Sequence, residues 1–426
     1  MNRVFGSEDT PEFFHKIESV LKPLLSIVER EFINDSASTA AVQRGDVPRN
    51  ITSLVSFAER REDLQPWERS ANVRVVERDA SDKPTAVEAD LQTLVRDFGA
   101  HIAIPVLYGK DFLERNPQFL DDFWRFDNDL FPLLMVGVPP WIPLKIIQDG
   151  IASRSRMTVA LEGLYRRIDQ YQKGDPVDFN ADMSDVGIAT ERNQVYDKFG
   201  VSMKHRADMD LSFVWGQNAN TQPLVFWFLA YIHSAPGLVE DLRREIAPWV
   251  KVATPGPMEI SSMDISALHR ECPLLKSAIY ETYRLGSEAT SIRRVDRPIT
   301  LLDGDHKHQL QPGTFVSAPF SVLQNDASYF PDPEKFVPDR FLEVDSETGR
   351  KVARYGKLRP WGVGPASCKG RTFAEKEILT ITAALISIWD MEPAEGAWNV
   401  PASLPGTGAK KPAKDIRVIL RRRVAP

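Results

Sequence analysis

WGVGPASCKG, residues 361 to 370, places one cysteine inside a glycine-rich turn that runs straight into a segment of helical spacing. Gly362, Gly364 and Gly370 permit turns and close backbone approaches that a Cβ would block. The following RTFAEKEILTITAALISIW repeats Phe373, Ile378, Ile381, Leu385 and Ile388 on one face, which predicts an amphipathic helix. Cys368 therefore stands at a helix N-terminus. There, unsatisfied N–H groups and the positive end of the helix dipole favour thiolate over thiol, and a thiolate is a metal ligand. The plainer alternative is a buried structural cysteine, a common fate of an unpaired Cys.

Around that turn the chain reads as one large, mainly helical unit with small β-sheets. Its 426 residues show no internal repeat and no low-complexity linker to divide them. A hydrophobic content of 42% supports a substantial core, and a formal charge of -6 argues against nucleic acid as a partner. Two cysteines, Cys272 and Cys368, exclude a disulfide framework and fit a reducing compartment. His306 and His308, flanking Lys307, read as a polar hairpin turn rather than a ligand pair. No apolar run reaches bilayer length and no signal peptide opens the chain. The greasiest stretch, FPLLMVGVPPWIPL at 131–144, is too short and too rich in proline for a membrane helix. It reads as an apolar loop between helices, packed on the core or dipping into a membrane surface.

Helical spacing covers 11–33, interrupted at Pro23, and the polar region from 36 to 86 reads as surface loops or short helices. Further helices are expected from LQTLVRDFGAHIAIPVL, QFLDDFWRFDNDLFPLL and KIIQDGIASRSRMTVALEGLYRRIDQY. The longest apolar helical run, 204–233, carries a polar island from Gly216 to Gln222 at its middle, and polar groups in a buried helix need a partner or a purpose. Pro223 deprives the Ala219 carbonyl of its helical partner, so a local bend is expected. In ECPLLKSAIYETYRL, Glu281 and Arg284 lie three apart on one face and can pair. SIRRVDRPITLLDGDHKHQLQPGTFVSAP alternates like short strands around Asp303-Gly304, and DIRVILRRRV reads as a closing strand.

WGVGPASCKG resembles the haem-binding loop of the cytochrome P450 family, whose pattern is Phe-x-x-Gly-x-Arg-x-Cys-x-Gly and whose cysteine thiolate ligates haem iron. Gly364, Cys368 and Gly370 match, Trp361 stands where Phe is usual with Gly362 beside it, and Ala366 stands where an Arg or His usually reaches a haem propionate. Glu281 and Arg284 resemble the family's Glu-x-x-Arg, and Pro338, Asp339, Arg340 and Phe341 its meander; the resemblance implies a buried Glu281, Arg284, Arg340 cluster. Arg293 aligns with the propionate-binding arginine, and Arg294 is its neighbour. The run GQNANTQPLVFW is similar to the central helix of the branch holding cholesterol 7α-hydroxylase, sterol 12α-hydroxylase and prostacyclin synthase. There Asn replaces the usual Thr of an acid–Thr pair; here Ala219 and Asn220 occupy those positions and Thr221 follows.

The resemblance implies a single haem-thiolate catalytic domain over 1–426 with the P450 fold, shortened at its N-terminus so that the membrane anchor and early β region are missing. The family's Trp-x-x-x-Arg is not found, with Lys16 and Lys22 as weak substitutes. It implies haem b (iron protoporphyrin IX), bound through Cys368 with Arg293, Trp361, Gly362, Gly364, Gly370 and Ala219 around it. Asn220, Thr221 and Gln217 are the catalytic candidates, and Trp215, Leu211, Ala289 and Thr290 the candidate substrate walls. The expected activity is monooxygenation of an apolar sterol, terpenoid or other secondary metabolite, with dioxygen and electrons from an NADPH-dependent flavoprotein reductase or cytochrome b5. Lys357, Arg359, Lys369, Arg371 and Lys376 are expected to surround the cysteine as the docking surface. The missing acid–Thr pair leaves open a reductase-free isomerase or dehydratase of a peroxide substrate, and a degenerate haem-binding protein. A full-length form is expected on the cytoplasmic side of the endoplasmic reticulum, touching the membrane through 131–144. The chain as it stands is expected in the cytoplasm.

Overall fold

A computed structural model describes residues 2–6, 10–177, 183–253, 257–364, 367–406 and 408–424. The chain divides into two compact units that share it discontinuously. One comprises Met1–Cys272, Lys369–Asn399 and Asp415–Pro426, and the other Pro273–Cys368 and Val400–Lys414. Because the chain passes between them several times, no single linker marks the division in the sequence.

The first unit is built on helices. Thr10 caps the helix Pro11–Phe32 by accepting from the Phe13 N–H, and the helix continues through Pro23 rather than breaking there. The region 36–86 is more ordered than its polarity suggests. Asn34 caps a helix over Asp35–Arg44 with its carboxamide oxygen, accepting from the Ser36 and Ala37 N–H groups at 3.1 and 3.2 Å. A cap of this kind contributes about 1 kcal/mol. Strands Arg74–Arg78 and Pro84–Asp90 then form a hairpin that pairs with Arg417–Arg422, which in turn pairs with Trp389–Pro393. DIRVILRRRV is thus the closing strand its pattern predicts, and the hairpin partner comes from the other end of the chain.

Helices Leu91–Tyr108, Lys145–Lys173, Gly187–Lys198 and Met203–Ser234 enclose the core of this unit. Met203–Ser234, the central helix, runs through Pro223 without ending. Its first half is fixed by charge: Arg192 Nε donates to Asp210 Oδ1 at 2.8 Å, and the Tyr108 and Tyr196 hydroxyls donate to the same carboxylate at 2.8 Å. Burial, followed by the Asp210 carboxylate, pushes the Tyr108 phenol well above its ordinary range. The trailing helix Arg371–Ile388 completes the unit, and its expected apolar face, from Phe373 to Ile388, is buried. Segment 131–144 begins as helix Phe131–Met135 and continues as a loop whose Val136 and Trp141 are 79% and 76% exposed. Among the described residues no helix is long and apolar enough to cross a membrane.

Among the described residues the second unit combines helix Pro273–Gly286 with four two-stranded antiparallel pairs. Thr290–Arg294 pairs with Phe315–Pro319, and Ile299–Asp303 pairs with His306–Leu310 across a turn in which Gly304 has a φ of 55°. His306 and His308 lie exposed on that hairpin, as a polar turn requires.

Candidate functional site

In the second unit, the loop that ends at Cys368 rests on an aromatic stack. Tyr280 stacks on Tyr355 at 3.9 Å, Trp361 meets Tyr283 edge-on at 5.1 Å, and Trp361 Nε1 donates to the Tyr355 hydroxyl at 2.9 Å. The indole N–H is the group a phenylalanine would lack, so Trp361 ties the loop to Tyr355 by a bond the usual Phe cannot make. Gly362 and Gly364 have φ of 73° and 67°, conformations that a side chain disfavours. The Cys368 N–H then closes the turn by donating to the Trp361 carbonyl at 2.8 Å. Ala366, where the expected arginine is absent, lies outside the described residues.

The result separates the two cysteines. Cys272 is buried, and burial, with Glu245 and Glu271 nearby, pushes its thiol up to about 12. Cys368 is exposed and in no disulfide. Of the two, Cys368 has the access that a reactive or ligating thiol requires.

The cluster implied by the motifs forms in this same unit. Arg284 donates through Nε and Nη2 to the two Glu281 carboxylate oxygens at 2.8 Å, and Arg340 Nε donates to Glu281 Oε1 at 2.9 Å. Arg284 Nη1 also reaches the Gln324 and Pro333 carbonyls at 2.9 and 2.6 Å. Glu281 and Arg284 are fully buried, and at such depth an ion pair is tolerable only when its remaining donors are also satisfied. Arg293 is exposed, and its guanidinium donates to the Ile292 carbonyl at 2.8 Å.

In the first unit the polar island of the central helix has two sides. Gln217 Nε2 donates to the Ala103 carbonyl of helix Leu91–Tyr108 at 2.9 Å, so this amide holds two helices together. Asn218 and Gln222, four residues apart on one stripe, are completely buried, and Asn218 Nδ2 bonds back to the Val214 carbonyl at 3.1 Å. Gln222 packs against Gly99, where a Cβ would lie 1.9 Å from its Oε1. That contact explains a glycine in the middle of helix Leu91–Tyr108. Asn220 lies two residues from both Asn218 and Gln222, on the opposite side of the helix, and is half-buried. Ala219 and Thr221 are buried at 7% and 5% exposure.

Several expected residues are engaged elsewhere. Leu211 belongs to the core, and Trp215 stacks on Phe131 at 4.4 Å while its Nε1 donates to Asp127 Oδ1 at 2.8 Å. Leu211 is a buried core residue, and Trp215 is a partly buried one packed against that core. Lys16 donates to the Gly200 carbonyl at 2.8 Å. Lys376 has no exposed surface and cannot belong to a docking face, while Lys369 pairs with Glu29 at 2.7 Å. The period and charge of residues 371–376 reveal nothing of this, because the partners of Lys376 lie in a distant polar segment that reads as surface loops or short helices.

The Cytochrome P450 family model matches residues 54–418. A cytochrome P450 monooxygenase of Penicillium decumbens is 30% identical over 74% of this chain and 57% of its own length. One from Penicillium oxalicum, named poxD, is 27% identical over 74% of this chain and 60% of its own length. The 25-hydroxycholesterol 7-alpha-hydroxylase of Rattus norvegicus is 26% identical over 68% of each chain. The match therefore spans less than two thirds of either fungal relative's length. The family match runs from ahead of the first β-hairpin into the last strand and embraces residues of both units, and on that ground the chain belongs to the cytochrome P450 family.

Proposed function

We propose that the chain is a haem-thiolate monooxygenase, its two units acting as a single catalytic domain, that oxidises an apolar small molecule of the sterol, terpenoid or secondary-metabolite class. The carrying observation is Cys368, an exposed thiol outside any disulfide at the end of a loop closed by its own N–H. The family implies a haem held by such a thiolate. The residues present fit it. Cys368 offers a sulfur donor and Arg293 an exposed fork suited to a propionate. Ile292, Phe315 and Val363 of the same unit are 53%, 69% and 44% exposed, apolar surface that a macrocycle would cover. Haem b is the form we infer, with Trp361, Gly362, Gly364 and Gly370 shaping the thiolate loop and Ala219 presenting only a methyl group. When bound, the cofactor supplies dioxygen activation, with thiolate electron density favouring O–O cleavage.

The chain's own residues divide the remaining work. The Cys368 N–H bond to Trp361 holds the sulfur in place before any ligand arrives, and the aromatic stack supports that loop. Asn220 is the amide that orients a water or substrate hydroxyl, and Thr221 is a second hydroxyl for moving a proton. Gln217, which holds Ala103, serves chiefly to fix the helix that carries them. Electrons come from an NADPH-dependent flavoprotein reductase, or cytochrome b5, attracted by the exposed Lys357 and its basic neighbours. The exposed Val136 and Trp141 support peripheral membrane contact through 131–144, in keeping with a place on the cytoplasmic side of the endoplasmic reticulum.

Reduced, haem-loaded protein should absorb, with carbon monoxide, at the wavelength that gives the family its name. No such band in folded, haem-loaded protein overturns the thiolate assignment. Turnover of a metabolite panel, read by mass spectrometry with and without reductase, separates monooxygenation from the isomerisation of a peroxide that the Ala219–Asn220 pair also accommodates.

A further inference from the structure

The trailing helix Arg371–Ile388 begins three residues after Cys368, and its first turns carry Glu375, Lys376 and Glu377. All three are buried, at 6%, 0% and 3% exposure. Three successive charged residues buried near a helix start are unusual, since such side chains are seldom fully buried unless paired. Lys376 is paired throughout. Its ammonium donates to Asp35 Oδ1 at 2.8 Å, to the Asp35 carbonyl at 2.5 Å, to Thr39 Oγ1 at 2.7 Å and to Ser38 Oγ at 3.1 Å. An ammonium has three protons, so this cage of four oxygens is sufficient.

The cage is itself held. The Ser38 and Thr39 hydroxyls donate to the Asp35 carbonyl at 3.0 and 2.9 Å, and Thr39 Oγ1 lies 3.3 Å from Ser266 Oγ. Two further ties flank it on the same stretch of chain. Glu375 Oε1 meets His269 Nε2 at 2.9 Å, and Lys369, the residue after Cys368, meets Glu29 at 2.7 Å. Residues 369–376 are therefore fastened to three separate helices, Pro11–Phe32, Asp35–Arg44 and Ile265–Glu271.

We propose that Lys376, seated in the oxygen cage of Asp35, Ser38 and Thr39, is a positioning residue that anchors the chain on the C-terminal side of Cys368 and so sets where the thiol stands. The loop side is anchored by the Cys368 N–H bond to Trp361; Lys376 is its counterpart on the helix side. A helix transmits displacement as a rigid body, so a shift of its first turn moves its N-cap Gly370 and pulls on the chain that leads back through Lys369 to Cys368, and functional geometry tolerates only about 0.5 Å. A lysine caged by fixed oxygens resists such a shift more than an apolar contact, because moving the ammonium would leave it uncompensated. This inference rests on the haem-thiolate reading only for the role of the thiol, not for the anchor.

The test uses the haem-free chain first. Cys272 is buried, so alkylation by iodoacetamide reports Cys368. Thr39→Val, which removes one hydroxyl at nearly constant volume, and Lys376→Met are each expected to change the Cys368 alkylation rate several-fold and to raise hydrogen exchange at residues 371–376. Thr39→Ser should restore wild-type values. Asp210→Asn, which weakens a buried pair on the central helix of the same unit, is the control; it should lower stability and leave the Cys368 rate unchanged. In haem-loaded protein, Thr39→Val should shift a measurable fraction of the carbon monoxide band away from the thiolate wavelength. If Thr39→Val and Lys376→Met melt early yet keep wild-type Cys368 alkylation, the anchor is refuted and the cage is merely stabilising. If wild-type protein gives no thiolate band, the haem reading fails, while the alkylation comparison still decides the anchor.

Discussion

The Cys368 loop and the middle of the central helix both carry polar groups, and these are completed to different degrees. Around the loop, donors meet acceptors: Trp361 with Tyr355, Cys368 with Trp361, and Arg284 with Glu281 and backbone carbonyls. In the helix, Asn218 Oδ1 and both amide heteroatoms of Gln222 are buried without a hydrogen-bond partner among the described residues. One region is fixed by bonds whose loss is nearly all-or-none, and the other by close packing, where volume decides.

The largest effect should come from the loop. Cys368→Ser should abolish the carbon monoxide band completely while circular dichroism stays unchanged; a surviving band would break the contrast at its root. Next, Arg284→Ala strands the Glu281 carboxylate in a fully buried position and should cost about 3 to 5 kcal/mol in denaturant unfolding. A loss below about 1 kcal/mol would show that the cluster is not what holds this unit.

Glu377 extends the comparison to the helix that follows Cys368, for its Oε2 is buried without a partner among the described residues and burial pushes the carboxyl up from 4.5 to about 8. The folded chain therefore holds this proton more tightly than the unfolded one. Its contribution is fully present below about pH 4.5 and is lost as pH rises through about 8. Glu377→Gln should accordingly match wild type in acid and exceed it by roughly 3 kcal/mol near pH 8, allowing for relaxation from about 1.36 kcal/mol per unit. Equal stability at both pH values would refute the buried neutral acid.

The packing side predicts smaller effects. Gly99→Ala drives a methyl into the Gln222 amide and should cost about 2 kcal/mol in thermal unfolding. Gln222→Met, similar in volume and without polar atoms, should lie within about 1 kcal/mol of wild type or be more stable. A large loss on Gln222→Met would mean that its amide makes a bond that packing alone does not express.

Much of this arrangement was legible along the chain. The helices at 91–108, 145–173 and 203–234, the Glu281–Arg284 pair and the hairpin at Asp303-Gly304 follow from period, spacing and turn residues, while the addition of Arg340 to that pair was implied by the family resemblance. Three features were not. Pro23 reads as a break, but a helix long enough to bury its apolar face on both sides tolerates the lost bond. Helix Asp35–Arg44 is small and polar, so its hydrophobic signal is weak, and its buried face includes Ser38 and Thr39. The strands at 74–90 depend on a partner at 417–422, a pairing no local window contains.

The chain's own order of residues determined the glycines that shape the loop before Cys368, the helix that follows it and the family to which the chain belongs. Only the tertiary structure decided which charges face solvent. Lys376 looks like one more exposed cation beside Cys368, yet its ammonium is taken by oxygens 337 to 341 residues away. Period and propensity are properties of neighbours in sequence, whereas the desolvation of a charge depends on what the fold brings against it.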